Sequence, residues 1–163
     1  MERNKMKLTN FTESHAKEIC NWKYEEEYHV YNYPEWNKVC QENWAITLKE
    51  KREKEFIALI DESNNLCAYI RFQDKNDYIL IGLGLKPSLC GAGLGKKLMN
   101  IVKSQSNKLY PNKKIILEVR SFNKRAIKCY ERAGFKIKTI YNKNTITGYD
   151  EFVKMEFIKE IKG

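Results

Sequence analysis

The stretch Cys90-Gly91-Ala92-Gly93-Leu94-Gly95-Lys96-Lys97 decides how this chain is read. It follows an apolar run that ends at Pro87 and it opens a helical pattern. Its glycines can therefore bring unshielded backbone N–H groups against a phosphate at the positive end of a helix dipole. It is not a P-loop, because that motif needs glycine where Cys90 stands and Ser or Thr where Lys97 stands. It also misses the dinucleotide fingerprint G-x-G-x-x-G, since the third glycine arrives one residue early. The turn by itself leaves two readings open, a phosphate cradle or a tight strand-to-helix connection. Just upstream, Ile81-Gly82-Leu83-Gly84-Leu85 sets two glycines inside an apolar strand. Such glycines mark a bulge, a ligand lying against backbone, or a strand packed tightly beneath a helix.

About thirty residues downstream runs Asn123-Lys124-Arg125-Ala126-Ile127-Lys128-Cys129-Tyr130-Glu131-Arg132-Ala133-Gly134-Phe135, a helix with legible ends. Asn123 is an N-cap candidate, Gly134 stands where a helix closes on a left-handed residue, and Phe135 follows to pack back. Tyr130 shares a face with Ala126 and Ala133, so it is either a packed core ring or, beside a phosphate cradle, a phenol placed for proton transfer.

Around these segments the chain alternates strand and helix patterns. Met6 to Phe11 reads as a strand, Glu13 to Trp22 as a helix with Ala16, Ile19 and Cys20 at helical spacing, and Val39 to Lys51 as a second helix. Glu55 to Ile60, Leu66 to Phe72 and Tyr78 to Leu85 read as strands joined by the polar turns Asp61 to Asn65 and Gln73 to Asp77. The glycine turn feeds a helix with Leu94, Leu98, Ile101 and Val102 on one stripe. Lys114 to Arg120, Phe135 to Tyr141 and Glu151 to Ile158 complete the strands. The order βααβββαβαββ, without repeat or linker, specifies an α/β (mixed α+β) fold in one domain spanning residues 1–163.

Composition narrows the function classes. Hydrophobic residues at 42% and aromatic residues at 12% exclude disorder. The longest apolar run, Tyr78 to Leu85, is too short to cross a bilayer, and Met1-Glu2-Arg3-Asn4-Lys5 carries no apolar signal segment, so a cytoplasmic protein is expected. Five single cysteines (Cys20, Cys40, Cys67, Cys90, Cys129) form no C-x-x-C pair, and His15 and His29 are not spaced with them as ligands. Buried or idle thiols and no metal are expected. The net charge of +9 comes from lysines spread along the chain; it favours anionic ligands such as phosphates and does not by itself mark a nucleic-acid binder.

Taken jointly, Leu85-Lys86-Pro87-x-x-Cys90-Gly91-Ala92-Gly93-Leu94-Gly95-Lys96 and Glu118-Val119-Arg120-x-x-Asn123-x-x-Ala126-x-x-x-Tyr130-x-x-x-Gly134-Phe135 resemble the GNAT superfamily of acetyl-CoA-dependent N-acetyltransferases. The motifs span Tyr78 to Phe135, and the element order extends the likeness over the chain. The strand Leu117-Glu118-Val119-Arg120 is similar to the branch that acetylates the N-terminal alanine of a ribosomal protein. The resemblance implies a central mixed, mostly antiparallel sheet flanked by helices and splayed between the strands ending at Leu85 and Arg120. It also implies that Leu83, Gly84 and Leu85 hold the pantetheine of acetyl-CoA, with a backbone N–H aimed at the thioester oxygen. The segment Cys90, Gly91, Ala92, Gly93, Leu94, Gly95 and Lys96 would take the pyrophosphate, Asn123 would contact the cofactor, and Tyr130 would protonate the departing thiolate. The family usually carries Gln or Arg where this chain has Cys90, a departure that leaves the amide cradle intact and bears on one side-chain contact.

The chemistry agrees with that assignment. Attack of a neutral amine on a thioester creates an oxyanion suited to a fixed backbone donor, and expels a thiolate that a phenol of similar basicity can reprotonate. Glu118, in an apolar strand, has two readings: a base whose pKa desolvation raises, or an ion pair with Arg120 or Arg71. Glu25-Glu26-Glu27 reads as solvated surface. In the aromatic block Trp22 to Trp36, Tyr28, Tyr31 and Tyr33 either line an acceptor entrance or cap the core. The expected partners are acetyl-CoA or CoA and an unidentified primary amine, with no membrane or nucleic acid, in a monomer or homodimer. The rival reading is a non-catalytic CoA-binding or nucleic-acid-binding module on the same fold.

Overall fold

The computed structural model describes residues 5–158 of the chain, so the opening residues 1–4 read above for a signal segment lie outside the described residues. Seven strands and five α-helices follow one another as β1 (Lys7–Asn10), α1 (Glu13–Asn21), α2 (Trp36–Gln41), α3 (Lys49–Glu55), β2 (Phe56–Ile60), β3 (Leu66–Asp74), β4 (Tyr78–Leu85), α4 (Gly95–Leu109), β5 (Lys114–Arg120), α5 (Lys124–Arg132), β6 (Phe135–Thr145) and β7 (Gly148–Phe157). Strand neighbours run β1-β2-β3-β4-β5-β7-β6 in a mixed sheet. Two compact units divide the described residues, one of 5–71 with 83–92 and one of 72–82 with 93–158, and β3 and β4 each lend one end to each unit.

In the first unit, β1, β2 and β3 pair antiparallel, and the Lys86 amide donates to the Cys67 carbonyl at 2.8 Å, setting the end of β4 beside β3. Helix α1 starts where Thr12 and His15 form a reciprocal capping box, and it turns Ala16, Ile19 and Cys20 inward as their spacing requires. They meet Phe11, Phe56 and Ala58 in one apolar cluster.

The expected single helix from Val39 to Lys51 is corrected here. It is two short helices, because Asn43 takes a left-handed φ of +53° and the Trp44 amide reaches back to the Val39 carbonyl, closing α2. A 3-10 turn at Ala45–Thr47 follows, tied by Thr47 Oγ1 to the Trp44 carbonyl and by Arg52 to the Ile46 carbonyl. Side chain to main chain bonds of this kind override helical periodicity.

In the second unit the first residues of β4 pair parallel with β5, and β5, β7 and β6 follow antiparallel. The β4–β5 ladder stops at Ile81 and Leu117, short of Leu85 and Arg120, where the strands were expected to splay. Alternation gives β5, β7 and β6 two different faces. Leu117, Val119, Val153 and Met155 are buried on one, against which α4 and α5 pack through Phe135 and Phe157. Glu118, Arg120, Phe152, Lys154, Tyr141 and Lys143 occupy the other. Strand β6 runs four residues past the expected end at Tyr141, and β7 starts three residues earlier than Glu151, so the last two strands form a long hairpin.

Candidate active site

The glycine turn is built to expose backbone. Gly91 and Gly93 have φ of +82° and +79°, values that other residues adopt at a cost, and nothing lies within 4 Å of where a Cβ on either would stand. Helix α4 then begins with Leu94 at its N-cap and no side chain capping it. The amides of a first helical turn have no intrahelical acceptor, so fifteen aligned residues direct their positive end and open N–H groups at the exposed loop. At Gly95 the helix lies close to α5: a Cβ there would meet Cys129 Sγ at 3.0 Å.

On the strand side of the turn, the Leu85 carbonyl is engaged within the protein. The Tyr24 hydroxyl donates to it at 2.6 Å, and the Cys90 thiol lies 3.9 Å from the same oxygen and 3.7 Å from the Lys86 carbonyl. Burial first, then the neighbouring Cys90 and Tyr33, push the Tyr24 phenol well above its ordinary pKa and keep it a neutral donor. Gly84 owes its small size to the protein itself: a Cβ would lie 2.0 Å from Cε1 of Tyr69.

Helix α5 begins with the Asn123 side chain accepting from the Ala126 amide at 3.2 Å, and Gly134 ends it with a φ of +101°. Both ends agree with the sequence. Tyr130 is half-buried, its ring 6.4 Å from Phe135.

Glu118 differs from expectation. Neither arginine is its partner: Arg71 donates twice to Glu55, and Arg120 pairs with Asp150 at 2.7 Å and reaches Thr145 and Thr147. Lys143 Nζ takes Glu118 instead, at 2.6 Å. Lys154 of β7 stands directly opposite Glu118, and the long Lys143 side chain reaches it from β6 across β7, while the Arg120 guanidinium is taken by Asp150. The expected rise in pKa is also reversed. Burial pulls upward, but hydrogen bonds from Lys143 and Tyr141 and the charges of Lys143 and Lys154 outweigh it, holding the carboxyl below its ordinary 4.5. The same hydrogen bond pushes the Tyr141 phenol up, after burial.

Of the three tyrosines read as an acceptor entrance, Tyr33 packs against the core, 5.5 Å from the Trp44 ring and hydrogen-bonded to Tyr69. Tyr28 and Tyr31 are half-buried on the 3-10 turn Glu26–Tyr31, with the Tyr31 ring edge-on to Tyr24 at 6.5 Å. Glu25, Glu26 and Glu27 are exposed. His15 belongs to the α1 cap, and His29 bonds the Glu26 carbonyl. Burial pushes the Cys20 thiol up to about 11 and raises Cys67 and Cys129. Among the described residues no group of three or more His, Cys, Asp or Glu side chains is placed to hold a metal ion, and no helix is long and apolar enough to cross a membrane.

Residues 16–135 match the model of the acetyltransferase (GNAT) family. The chain belongs to that family. No curated protein sequence matches it significantly. Its fold is similar to a chimera of the spermidine N-acetyltransferase SpeG from Vibrio cholerae and hSSAT, with a TM-score of 0.77 at 19% identity, covering 94% of this chain and 95% of that one. It is also similar to the spermidine/spermine N-acetyltransferase SpeG of Vibrio cholerae (TM-score 0.72, 19% identity, 93% and 91% covered). The ribosomal-protein-S18-alanine N-acetyltransferase of Escherichia coli is a third, with 0.68 at 18% identity, covering 98% and 97%.

As a GNAT acetyltransferase the chain is an acyltransferase enzyme, and the glycine turn falls inside the matched region. Sequence reasoning missed the partners of two candidate groups: Tyr24, which donates to the Leu85 carbonyl in the first unit, and Lys143 and Tyr141, which hold Glu118 in the second. Tyr24 lay inside the aromatic block as one ring among several. Tyr141 stood at the expected end of its strand and Lys143 beyond it, and the signal available was their alternation with Asn142 and Asn144 along a continued strand.

Proposed function

We propose that this protein transfers the acetyl group of acetyl-CoA directly to a primary amine, within one catalytic domain and without a covalent enzyme intermediate. The observation that carries the reading is the exposed, uncapped start of α4 behind two glycines of positive φ, in a chain of the GNAT family. That opening fits the pyrophosphate of CoA because the first-turn amides of α4 have no intrahelical acceptor and nothing lies within 4 Å of where a Cβ on Gly91 or Gly93 would stand, although the Cys90 and Ala92 amides are taken by the Pro87 and Leu89 carbonyls. Cys90, Gly91, Ala92, Gly93, Leu94, Gly95 and Lys96 would hold the pyrophosphate, and Leu83, Gly84 and Leu85 the pantetheine, with Asn123 contacting the cofactor. Acetyl-CoA supplies an activated thioester with a thiolate leaving group.

The rest of the chemistry falls to the protein. A backbone N–H at the end of β4 would stabilise the oxyanion, and Tyr130 would give its proton to the departing sulfur. Glu118 has a role different from a raised-pKa base. Held as a carboxylate, it is a weak proton acceptor and a strong partner for an ammonium group, so it would bind the acceptor's charged form and pass its proton to water. Tyr28 and Tyr31 are placed in the acceptor entrance on this reading, and the enzyme works in the cytoplasm as a monomer or homodimer.

Titration calorimetry with acetyl-CoA tests the reading. Wild-type protein should bind it, and Gly93→Pro should abolish binding while melting normally, because proline removes an N–H and cannot adopt the φ of +79° in a turn with open space around it. Unchanged affinity in the folded variant would overturn the cradle. A screen of amines with released CoA as readout identifies the acceptor.

A further inference from the structure

Glu118 receives an ammonium group in a setting more elaborate than a surface ion pair. Lys143 Nζ lies 2.6 Å from Glu118 Oε2 and 4.4 Å from the centroid of the Phe152 ring. Tyr141 hydrogen-bonds the same carboxylate. Of the receiving groups, Glu118 belongs to β5 and Phe152 to β7, which are paired with each other, and Tyr141 stands on β6; the Glu118 side chain is 23% exposed. The cation they receive is different in kind. It sits at the end of a four-carbon stem on β6, the last strand in the order, with 42% of its side chain exposed. An ion pair with one partner so open to water is weakly held, so the ammonium can leave for solvent at small cost while carboxylate and ring stay in place.

We infer that Glu118, Tyr141 and Phe152 form a subsite for a primary alkylammonium group, which Lys143 fills as a tethered stand-in until a ligand's ammonium takes its place. The end of a lysine side chain is itself an unbranched alkylammonium, so groups that accept Lys143 have the right chemistry for such a ligand: a carboxylate for the charge and an aromatic face for the cation. The groups facing Glu118 are Lys143 and Tyr141 from β6 and Lys154 from β7; Tyr78 of β4 lies beneath the Lys154 ammonium at 5.2 Å, and Arg120 of β5 is paired with Asp150. Lys143 is thus a specificity-determining residue that competes with the acceptor. Naming the acceptor amine as the ligand rests on the acetyl-transfer reading; the subsite itself rests on the geometry.

Butylammonium chloride, titrated at pH 7 into protein carrying carboxyl-13C glutamate, tests the exchange without turnover. Glu118→Gln assigns the Glu118 signal. In Lys143→Met, and in Lys143→Gln as a second neutral variant, butylammonium should move that signal with an affinity on the order of fivefold to tenfold tighter than in wild type. Lys143→Arg, which keeps the competing cation, should stay near wild type. Equal affinity in wild type and both neutral variants, no movement of the Glu118 signal in any of them, or Lys143→Arg behaving like Lys143→Met would each overturn the subsite. Acetyl transfer from acetyl-CoA to butylamine, followed on the same preparations, separates the two claims. Tighter binding with no transfer to butylamine or to any amine of the screen would sink the acetyl-transfer reading and leave the subsite standing; transfer with unaltered KM in the neutral variants would do the reverse.

Discussion

Single residues in this protein serve packing and chemistry at once, and substitution separates the two. Tyr130 rests 6.4 Å from Phe135, so its ring belongs partly to the core of the second unit, while its hydroxyl is the proposed acid. Tyr130→Phe keeps the ring. Turnover on any amine the wild type accepts should fall on the order of 100-fold, with melting temperature and CoA affinity nearly constant. Unchanged turnover would return Tyr130 to a packing role. Gly84 is the complementary case. Alanine there would place a Cβ 2.0 Å from the Tyr69 ring, which is buried and hydrogen-bonded to Tyr33. Gly84→Ala should cost roughly 1–3 kcal/mol of stability, as overpacking does, read by denaturant unfolding. A normal melt with weakened CoA binding would mean that Gly84 is small for the ligand's sake.

The hairpin of β6 and β7 is the element whose length changed the reading of the site. Its extension beyond Tyr141 brings Lys143 to Glu118 and places Asp150, Thr145 and Thr147 around Arg120. A pH dependence follows. The folded pKa of Glu118 is depressed, so the stability its contacts provide is present above the unfolded value and is lost as pH falls through the folded value. Glu118→Gln should therefore melt lower than wild type at neutral pH and lose less stability on acidification, as melting curves across the acid range would record. Wild-type activity should likewise have no acid limb from Glu118 near neutrality. In Lys143→Met the carboxyl loses the partner that lowers it and its titration should move up in pH. A Glu118 signal titrating above the ordinary carboxylate range in wild type would contradict both expectations.

For the whole molecule, the interleaved chain makes a prediction about cooperativity. Neither compact unit is a contiguous piece of sequence, and β3 and β4 each run from one into the other. Thermal unfolding of the protein, proposed as one domain, should appear as one transition with calorimetric and van't Hoff enthalpies in agreement. Two resolved transitions would contradict it. The net charge of +9 acts at this scale too, favouring anionic CoA and weakening that advantage as salt rises.

The sequence by itself determined what depends on neighbours in the chain. The glycine turn ahead of α4, the Asn123 cap, the left-handed stop at Gly134, the apolar stripe of α4 and the exact span of β4 and β5 are local consequences of φ preference, capping and periodicity, and all were legible. So was the family, because its motifs sit at local turns and helix starts. Tertiary structure decided the rest, since it concerns which distant side chain arrives first. The sequence offered Glu118 two cations, Arg120 and Arg71; the fold gives those to Asp150 and Glu55 and brings Lys143 from the extended hairpin to Glu118. Tyr24 meets Leu85 across sixty-one positions, a contact with no periodic trace. The direction of the Glu118 pKa turns on the same fact: burial, which hydropathy foretells, was outweighed by hydrogen bonds and charges that only register could supply.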